Sequence, residues 1–404
     1  MTKLLPYGRH SVDEEDIALV TQILRGDFLT TGPTINAFEA ALSAKLDGAY
    51  VVLCSNGTAA LHMMSLALPL QPGDVLVVPA ITFLATANAA RYVGAEVEFA
   101  DVDQKTGLMT PETLSAAITS ARRRFGKTPR AATVVHMAGQ SGDIPGLAAK
   151  AAENGMILME DAAHAVGGRY LSQDTWMPIG AAHHAALCAF SFHPVKTMTM
   201  GEGGAVSTRD KALADRLLLA RNHGMQRDPT LWRANGDGFE PDGTPRPWYY
   251  EMQEPGFNYR ATDIQAALGM SQLSKLDLFV TRRAAIVERY QAGLANLSPL
   301  LEPLRMRLDS RPGWHLFVVL LDFEKLGMSR TALMKRLQAA GIGSQVHYIP
   351  LYRQPYFLNR YGEMRLPGAE LYYERALSLP LYPAMTDTDV DHVIETVSRI
   401  VKEG

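Results

Sequence analysis

The feature that most constrains the fold of this chain is a series of short, almost wholly apolar runs between about residues 50 and 210. Seven runs follow one another: AYVVLCS, VLVVPA, AEVEFAD, ATVVHMA, MILMED, ALCAFSF and GAVST. Their apolar residues are consecutive and do not alternate with polar ones, which indicates strands buried on both faces. Alanine- and leucine-rich helical stretches separate them. We therefore predict an α/β fold with a mostly parallel central sheet flanked by helices on both sides.

The length of 404 residues predicts two domains, since domains commonly span about 100–200 residues. We place a large domain at residues 1–275 and a smaller C-terminal α/β domain at residues 276–404, and we allow the N-terminal segment to pack against the smaller one. In the second region HLFVVLLD predicts a strand, SQVHYI is strand-like, and a helix lies between Ser329 and Gly341. Thr386 is expected to cap the last helix.

Composition and charge exclude several classes of protein. Hydrophobic residues make up 47% of the chain, charged residues make up 20%, and the net charge is −3, which offers no electrostatic basis for binding nucleic acid or an anionic membrane. No signal peptide or run of ~18 apolar residues is present in the sequence, so we expect a cytoplasmic protein with small-molecule partners. Cys54 and Cys188 are the only cysteines, too few for a disulfide framework and wrongly spaced for a metal site. We expect core thiols and no metal.

Two polar motifs follow predicted strands, at the sheet edge where open α/β proteins bind ligands. In CSNGTAALHMM a strand leads into a helix whose first N–H groups have no helical partner. Gly57, followed by Thr58, would let a phosphate approach the main chain there; a simple helix cap is the alternative. Asp161, at the end of MILMED, either caps the next helix or is the anionic partner of a protonated heterocyclic nitrogen.

A third motif, SFHPVKTMTMGEGGA, contains one lysine after another strand. If Lys196 lies in the strand-end cleft, desolvation lowers its pKa and makes its amine a usable nucleophile and proton carrier. Ser191 offers a hydroxyl group to a phosphate. The glycine run does not match G-x-G-x-x-G, which disfavours an NAD-dependent dehydrogenase. Phosphate turn, aspartate and lysine in this order are typical of fold-type-I enzymes that use pyridoxal 5′-phosphate (PLP).

Five long motifs make the assignment more specific: SNGTAALHM, PAITFLATANAA, EDAAHAVGG, SFHPVKTMTMGEGGAV and GFNYRATDIQAALGMSQL. Over nearly the whole chain they resemble the DegT/StrS family of nucleotide-sugar aminotransferases. The resemblance implies that Lys196 binds PLP covalently and moves a proton during the reaction, and that Asp161 keeps the pyridine nitrogen protonated. It also implies the other cofactor contacts: Phe83 stacked on the ring, His164 near the phenolic oxygen, and Gly57, Thr58, Ser191 and Asn258 at the phosphate.

The motif GFNYR implies an active site shared between two subunits. In enzymes that it resembles, the residues matching Asn258 and Arg260 come from the neighbouring subunit. Arg260 would lie near the carboxylate of L-glutamate, the amino donor, for which a planar, always charged guanidinium is suited; a surface arginine is the alternative. The resemblance therefore implies a homodimer. A branch of 3-dehydratases that replaces the lysine by histidine is disfavoured because Lys196 is present.

Further stretches are similar to one branch of the family, the transaminases of pseudaminic acid biosynthesis: PYGRHSVDEEDI, VVHMAGQSGDI, WYYEMQEPGFNYR and VHYIPLYRQPYF. This implies amino transfer to C4 of a UDP-linked 4-keto-6-deoxy-N-acetylhexosamine. Residues 225–256, rich in Pro, Gly and Asp, predict a long binding loop. Tyr249 in this loop, and His347, are candidates to contact the sugar; a packed aromatic cluster and a hydrogen-bonded strand residue are the alternatives. The long, charged insert RANGDGFEPDGTPRP leaves the substrate open, so a GDP- or dTDP-linked sugar is an alternative. A non-catalytic PLP-binding regulator is a second alternative, because relatives in the family that the chain resembles were once suspected of sensing.

Overall fold

The computed structural model describes residues 4–234 and 236–403. Within these residues the strands are β1 Tyr50–Cys54, β2 Val75–Pro79, β3 Glu96–Ala100, β4 Ala131–Val135, β5 Ile157–Asp161, β6 Arg169–Ser172, β7 Thr175–Pro178, β8 Leu187–Ser191, β9 Gly204–Thr208, β10 Met225–Gln226, β11 Glu251–Met252, β12 Leu301–Pro303, β13 Ser310–Arg311, β14 Phe317–Leu321 and β15 Ala376–Leu379. The α-helices are α1 Glu14–Leu24, α2 Pro33–Lys45, α3 Gly57–Ala67, α4 Leu84–Tyr92, α5 Pro111–Phe125, α6 Ile144–Glu153, α7 Lys211–Arg221, α8 Asp263–Ser274, α9 Leu276–Leu294, α10 Arg330–Ala339, α11 Pro355–Tyr361, α12 Pro367–Arg375 and α13 Asp387–Glu403.

The central sheet contains all seven predicted runs in the order β1-β9-β8-β5-β4-β2-β3. Six strands run in one direction, and β9 is antiparallel to both of its neighbours. The segment 192–203 between β8 and β9 contains no crossover helix, so the chain turns back beside β8. This segment carries Lys196. The predicted mostly parallel sheet is confirmed.

Helices cover both faces of this sheet, and neighbouring residues of each strand pack into different cores. In β1, Val52 and Cys54 belong to one core, whereas Val51 and Leu53 belong to the other. Helices α3, α4 and α7 contribute to the first core, and α2, α5, α6 and α8 contribute to the second. None of the helices in the described part of the chain combines the length and apolarity that crossing a membrane requires.

A second, antiparallel sheet with the order β12-β14-β15 packs against α9, α10 and α13. The predicted helix after Ser329 is confirmed as α10, and the Ser329 hydroxyl accepts a main-chain N–H of its first turn. Thr386 caps α13, as predicted. The prediction of a strand at SQVHYI is wrong, because only Gln345 forms a bridge, with Ser378 of β15. The proposed boundary near residue 275 lies between α8 and α9 and stays a prediction.

The long loop, residues 225–256, is anchored at its base by the pairing of β10 with β11. Above this base, the ring of Trp232 packs against Tyr249 and Phe239, with ring centroids 4.6 and 5.2 Å apart. The carboxylate of Glu251 accepts two main-chain N–H groups, at 2.6 and 2.7 Å. The loop is thus held by its own aromatic and polar contacts, although its sequence has no periodicity.

Candidate active site

A cavity of about 1130 Å³ opens at the carboxyl ends of the central strands. Most of the residues predicted for the site line it: Gly57, Thr58, Phe83, Asp161, His164, Ser191, Lys196 and His347. Three others do not belong to its lining: Tyr249, Asn258 and Arg260. The parallel strands explain the first group, because the residues that follow β1, β5 and β8 meet at one edge of the sheet.

An anion cradle lies where β1 passes into α3. Asn56 caps this helix, since its side-chain oxygen accepts the main-chain N–H of Ala59 at 2.8 Å. The helix therefore begins at Gly57, with the positive end of its dipole at the cavity. Ser191 lies so close that a Cβ added at Gly57 would be 2.8 Å from the Ser191 Cβ and 3.0 Å from its Oγ. The absence of a Cβ at Gly57 therefore lets the Ser191 side chain approach the start of the helix this closely.

Asp161, at the end of β5, is buried and held in one orientation. One of its carboxylate oxygens accepts the hydroxyl of Thr86 at 2.7 Å, and the other accepts the main-chain N–H of Ala163 at 3.0 Å. The Thr86 hydroxyl also contacts that of Thr82, at 2.8 Å. These donors fix the direction of the carboxylate, which is what a partner for a cationic ring nitrogen requires.

Lys196 is partly buried in the segment after β8, and its main-chain N–H donates to the carbonyl of His193 at 2.9 Å. Burial lowers the pKa of Lys196 to about 8, while the negative charge of Asp161 acts in the opposite direction. Roughly a tenth of the amine is therefore neutral at pH 7, far more than for an ordinary lysine. A neutral amine can attack a carbonyl carbon and can accept a proton.

Buried histidines form another part of the cavity wall. His164 Nε2 contacts the hydroxyl of Tyr348 at 3.1 Å, and its Nδ1 has no hydrogen-bond partner among residues 4–234 and 236–403. Burial, and then the charge of Lys196, hold the pKa of His164 well below its ordinary value. His347 Nδ1 contacts the Ser378 hydroxyl at 2.8 Å, and burial, followed by Lys196, lowers the pKa of His347 to about 3. Both imidazoles are neutral at pH 7.

The segment 257–260 has two differently directed sets of side chains. Phe257 and Tyr259 line the cavity and pack around His62. Asn258 and Arg260 alternate with them and are absent from the lining, and Arg260 instead donates to the side chain of Asn222. Extended chains place successive side chains on opposite sides, which accounts for the division. In the single chain these two residues are therefore not brought to the cofactor cavity.

Among the cavity-lining residues that sequence reasoning missed are Thr86, His315 and Tyr348. Thr86 could have been predicted as a site residue, because it lies in the motif TFLATAN three residues after Phe83. His315 precedes β14, and its ring centroid is 4.5 Å from that of His164. Thr86, His315 and Tyr348 each contact a residue that lies far away in the chain, and no local sequence pattern indicates such a contact.

The side chains around the cavity fit PLP. The cradle at Gly57 and Ser191 suits a phosphate, and the oriented carboxylate of Asp161 suits a pyridinium N–H. Lys196 presents an amine of lowered pKa to an aldehyde. The unpartnered Nδ1 of His164, buried at the cavity wall, is available for a further polar group of the ring. The described residues thus offer a partner for each reactive group of this cofactor.

Comparison with known proteins points to the same chemistry. Residues 10–398 match the family model of the DegT/DnrJ/EryC1/StrS aminotransferase family. The chain is 38% identical over 403 residues to the spore coat polysaccharide biosynthesis protein SpsC of Bacillus subtilis (strain 168), and this match covers 98% of the chain and 97% of the relative.

Solved structures are similar over the full length. The putative sugar aminotransferase Spr1654 from Streptococcus pneumoniae, in its PMP form, has a TM-score of 0.86 at 27% identity and covers 98% of this chain and 99% of its own. Helicobacter pylori PseC, an aminotransferase involved in the biosynthesis of pseudoaminic acid, has a TM-score of 0.87 at 24% identity over 100% of both chains, which bears on the fold alone. The fold-type-I prediction is confirmed. The chain belongs to the DegT/DnrJ/EryC1/StrS aminotransferase family.

Proposed function

We propose that this PLP-dependent sugar aminotransferase moves the amino group of L-glutamate to C4 of a UDP-linked 4-keto-6-deoxy-N-acetylhexosamine. The cofactor and the aminotransferase activity follow from the family. The choice of sugar and nucleotide is supported by the sequence stretches that are similar to the pseudaminic acid branch. The name of the relative SpsC places that protein in polysaccharide biosynthesis, which agrees with a product destined for a polysaccharide.

The observation that carries the proposal is the position of one lysine. Lys196 shares a cavity with the carboxylate of Asp161 and the anion cradle at Gly57. Its lowered pKa, about 8, supplies a neutral amine without a separate base. No cavity-lining lysine other than Lys196 occurs among residues 4–234 and 236–403, so the amine chemistry of the family has one candidate in the described chain.

The role proposed for each residue follows from its position in the cavity. Bound PLP supplies an aldehyde for a covalent link to an amine and a ring that accepts electron density. Asp161, oriented by Thr86, would hold the ring nitrogen, and the α3 N-terminus with Ser191 would hold the phosphate. Lys196 Nζ would take the proton from Cα of glutamate and later give a proton to C4 of the sugar. General acid–base help of this kind contributes roughly 10²–10⁴ in rate.

The proposed active site includes a second copy of the chain. Asn258 and Arg260 point away from the cavity of their own chain, which is the arrangement expected if they serve a neighbouring one. Arg260 would then meet the glutamate carboxylate. His347 lines the cavity and is proposed as a sugar contact. Tyr249 instead packs against Trp232, as expected if it belongs to a packed aromatic cluster. The homodimer, the cytoplasmic location and the Tyr249 contact stay predictions.

The proposal is tested by incubating the purified protein with glutamate and a panel of UDP-, GDP- and dTDP-linked 4-keto-6-deoxy sugars, with products identified by mass spectrometry. A 4-amino product from the UDP-N-acetyl sugar is expected. Lys196→Ala should abolish it, whereas Lys211→Ala, at an exposed position where the lysine pairs with Asp215, should not. Preferred turnover of a dTDP- or GDP-linked sugar would contradict the sugar assignment. A 3-deoxy product, or a cofactor spectrum that glutamate does not change, would contradict aminotransfer itself.

A further inference from the structure

Arg283, in the second turn of α9, is a fully buried cation that pairs with no carboxylate of the described residues. Its relative exposure is 0%, and no ion pair to it occurs within the described parts of the chain, residues 4–234 and 236–403. Burial lowers the pKa of Arg283 to about 9, which still leaves the guanidinium charged at pH 7. A buried charge is unfavourable unless its hydrogen bonds are well used. Its partners therefore indicate why it is there.

All of the hydrogen bonds that Arg283 donates go to main-chain carbonyl groups. Nη1 donates to Leu381 at 2.9 Å, to Trp314 at 3.2 Å and to His315 at 3.4 Å. Nη2 donates to the carbonyl of Lys196 at 3.4 Å. Three separate chain segments thus meet at one guanidinium: the segment after β8, the residues before β14 and the residues after β15.

Two of these segments place a side chain at the cavity, and the third contacts a segment that does. Lys196 and His315 belong to its lining. The third segment acts through the N-terminal region, because the N–H of Leu381 donates to the carbonyl of Tyr7 at 3.0 Å, and Tyr7 also lines the cavity. Arg283 itself is absent from the lining. It lies behind the wall that carries the amine.

We propose that Arg283 is a positioning residue for the aminotransfer reaction, which fixes the main chain of Lys196 against the segments of His315 and Leu381 and so directs the amine into the cavity. The inference rests on the proposed role of Lys196. A guanidinium suits the task because its planar set of five donors reaches several carbonyl groups at once. Arg283→Lys keeps the charge but not this geometry, and Arg283→Met keeps only the volume.

The first test measures the titration of Lys196 in cofactor-free protein. Acetylation at a series of pH values, followed by peptide mass spectrometry, gives the midpoint for this one amine. The groups that face it are the carboxylate of Asp161 and the imidazoles of His164, His315 and His347. The parent midpoint is expected at about 8.

In Arg283→Met the segment after β8 should become more mobile and the Lys196 amine more exposed to solvent. The Lys196 midpoint should therefore rise by at least about one pH unit, toward the ordinary lysine value of about 10.4. Arg289→Met is the matched control. Arg289 lies on the same helix, is partly exposed and pairs with Asp391, so the midpoint of Lys196 should stay unchanged.

The second test compares the kinetics of folded Arg283→Lys with the parent. We expect kcat to fall by on the order of 10²-fold, as small misplacements of a reacting group produce, with little change in KM for glutamate. A folded variant whose Lys196 midpoint stays within about 0.3 pH units of the parent, and whose kcat stays within twofold, would overturn the proposal. Failure of both variants to fold would also overturn it, because Arg283 would then support the fold as a whole. The acetylation test needs neither cofactor nor sugar, so an error in the proposed function is distinguishable from an error here.

Discussion

Replacing Gly57 by alanine should weaken PLP binding through its phosphate. The added Cβ would lie 2.8 Å from the Ser191 Cβ, whereas unstrained carbon atoms approach to about 3.5–4.0 Å. Overpacking of this kind costs about 1–3 kcal/mol, against which alanine returns about 1 kcal/mol of helix propensity. The cofactor-free variant should therefore lose only about 0–2 kcal/mol of stability.

The effect on the cofactor should be larger, because the methyl group occupies the cradle and displaces the Ser191 hydroxyl. Losing one hydrogen bond to a charged phosphate costs about 1.5–3 kcal/mol, so PLP affinity should fall about 10–100-fold. Absorbance titration of cofactor-free protein measures this, with Gly236→Ala as the control, since no atom of the described residues beyond its chain neighbours lies within 4 Å of a Cβ there. Pyridoxal, which lacks the phosphate, should lose far less affinity. Equal losses for PLP and pyridoxal, or no loss for either, would refute the phosphate cradle.

Three further predictions concern single groups. Thr86→Val removes a 2.7 Å donor from the carboxylate of Asp161 and should weaken PLP binding about 10–100-fold in the same titration; an unchanged affinity would show that the hydroxyl is dispensable. Uptake of PLP by cofactor-free protein needs the neutral amine of Lys196, so its rate should rise with pH and level off above about 8; stopped-flow data with a midpoint near 10 would contradict burial of the amine. The Arg360 guanidinium holds the pKa of Glu96 at about 2, below the unfolded value, so this carboxylate stabilises the fold above about pH 4.5 and loses its effect as the pH falls toward 2. Glu96→Gln should cost about 1–2 kcal/mol at pH 7 after allowance for solvent screening, and urea melts of parent and variant that keep the same offset down to pH 2 would disprove it.

The central sheet and one edge of the site were predictable because the relevant signals are local. Each strand of the sheet is a continuous apolar run, and parallel strands place the residues that follow them at one edge. For this reason Gly57, Asp161 and Lys196 could be predicted to lie close together, although more than 100 residues separate Gly57 from the other two. The reversed direction of β9 was not predicted, since it depends on the missing crossover helix between residues 192 and 203.

What could not be predicted depends on distant partners. Thr86 contacts Asp161 across 75 positions, and Arg283 reaches the carbonyl of Lys196 across 87. The SQVHYI segment has a strand-like composition, but tertiary contacts decide its conformation, and His347 is satisfied there by Ser378 of β15. Such contacts follow from how the second sheet packs against the first, which periodicity within one segment does not encode.

The loop of residues 225–256 shows the same limit. Its composition predicted an element without regular structure, and the pairing of β10 with β11 arises from residues about 25 positions apart. Trp232 and Tyr249 then pack on each other. A role of this loop toward a sugar stays a prediction.

The most direct test of the account is to trap the link between the cofactor and the chain. The protein is incubated with PLP, reduced with borohydride, digested and mapped by mass spectrometry. We predict that the reduced cofactor mass is found on Lys196 alone, and that Lys196→Ala shows none. A label on another lysine, or no label in a protein that binds PLP, would contradict the central claim.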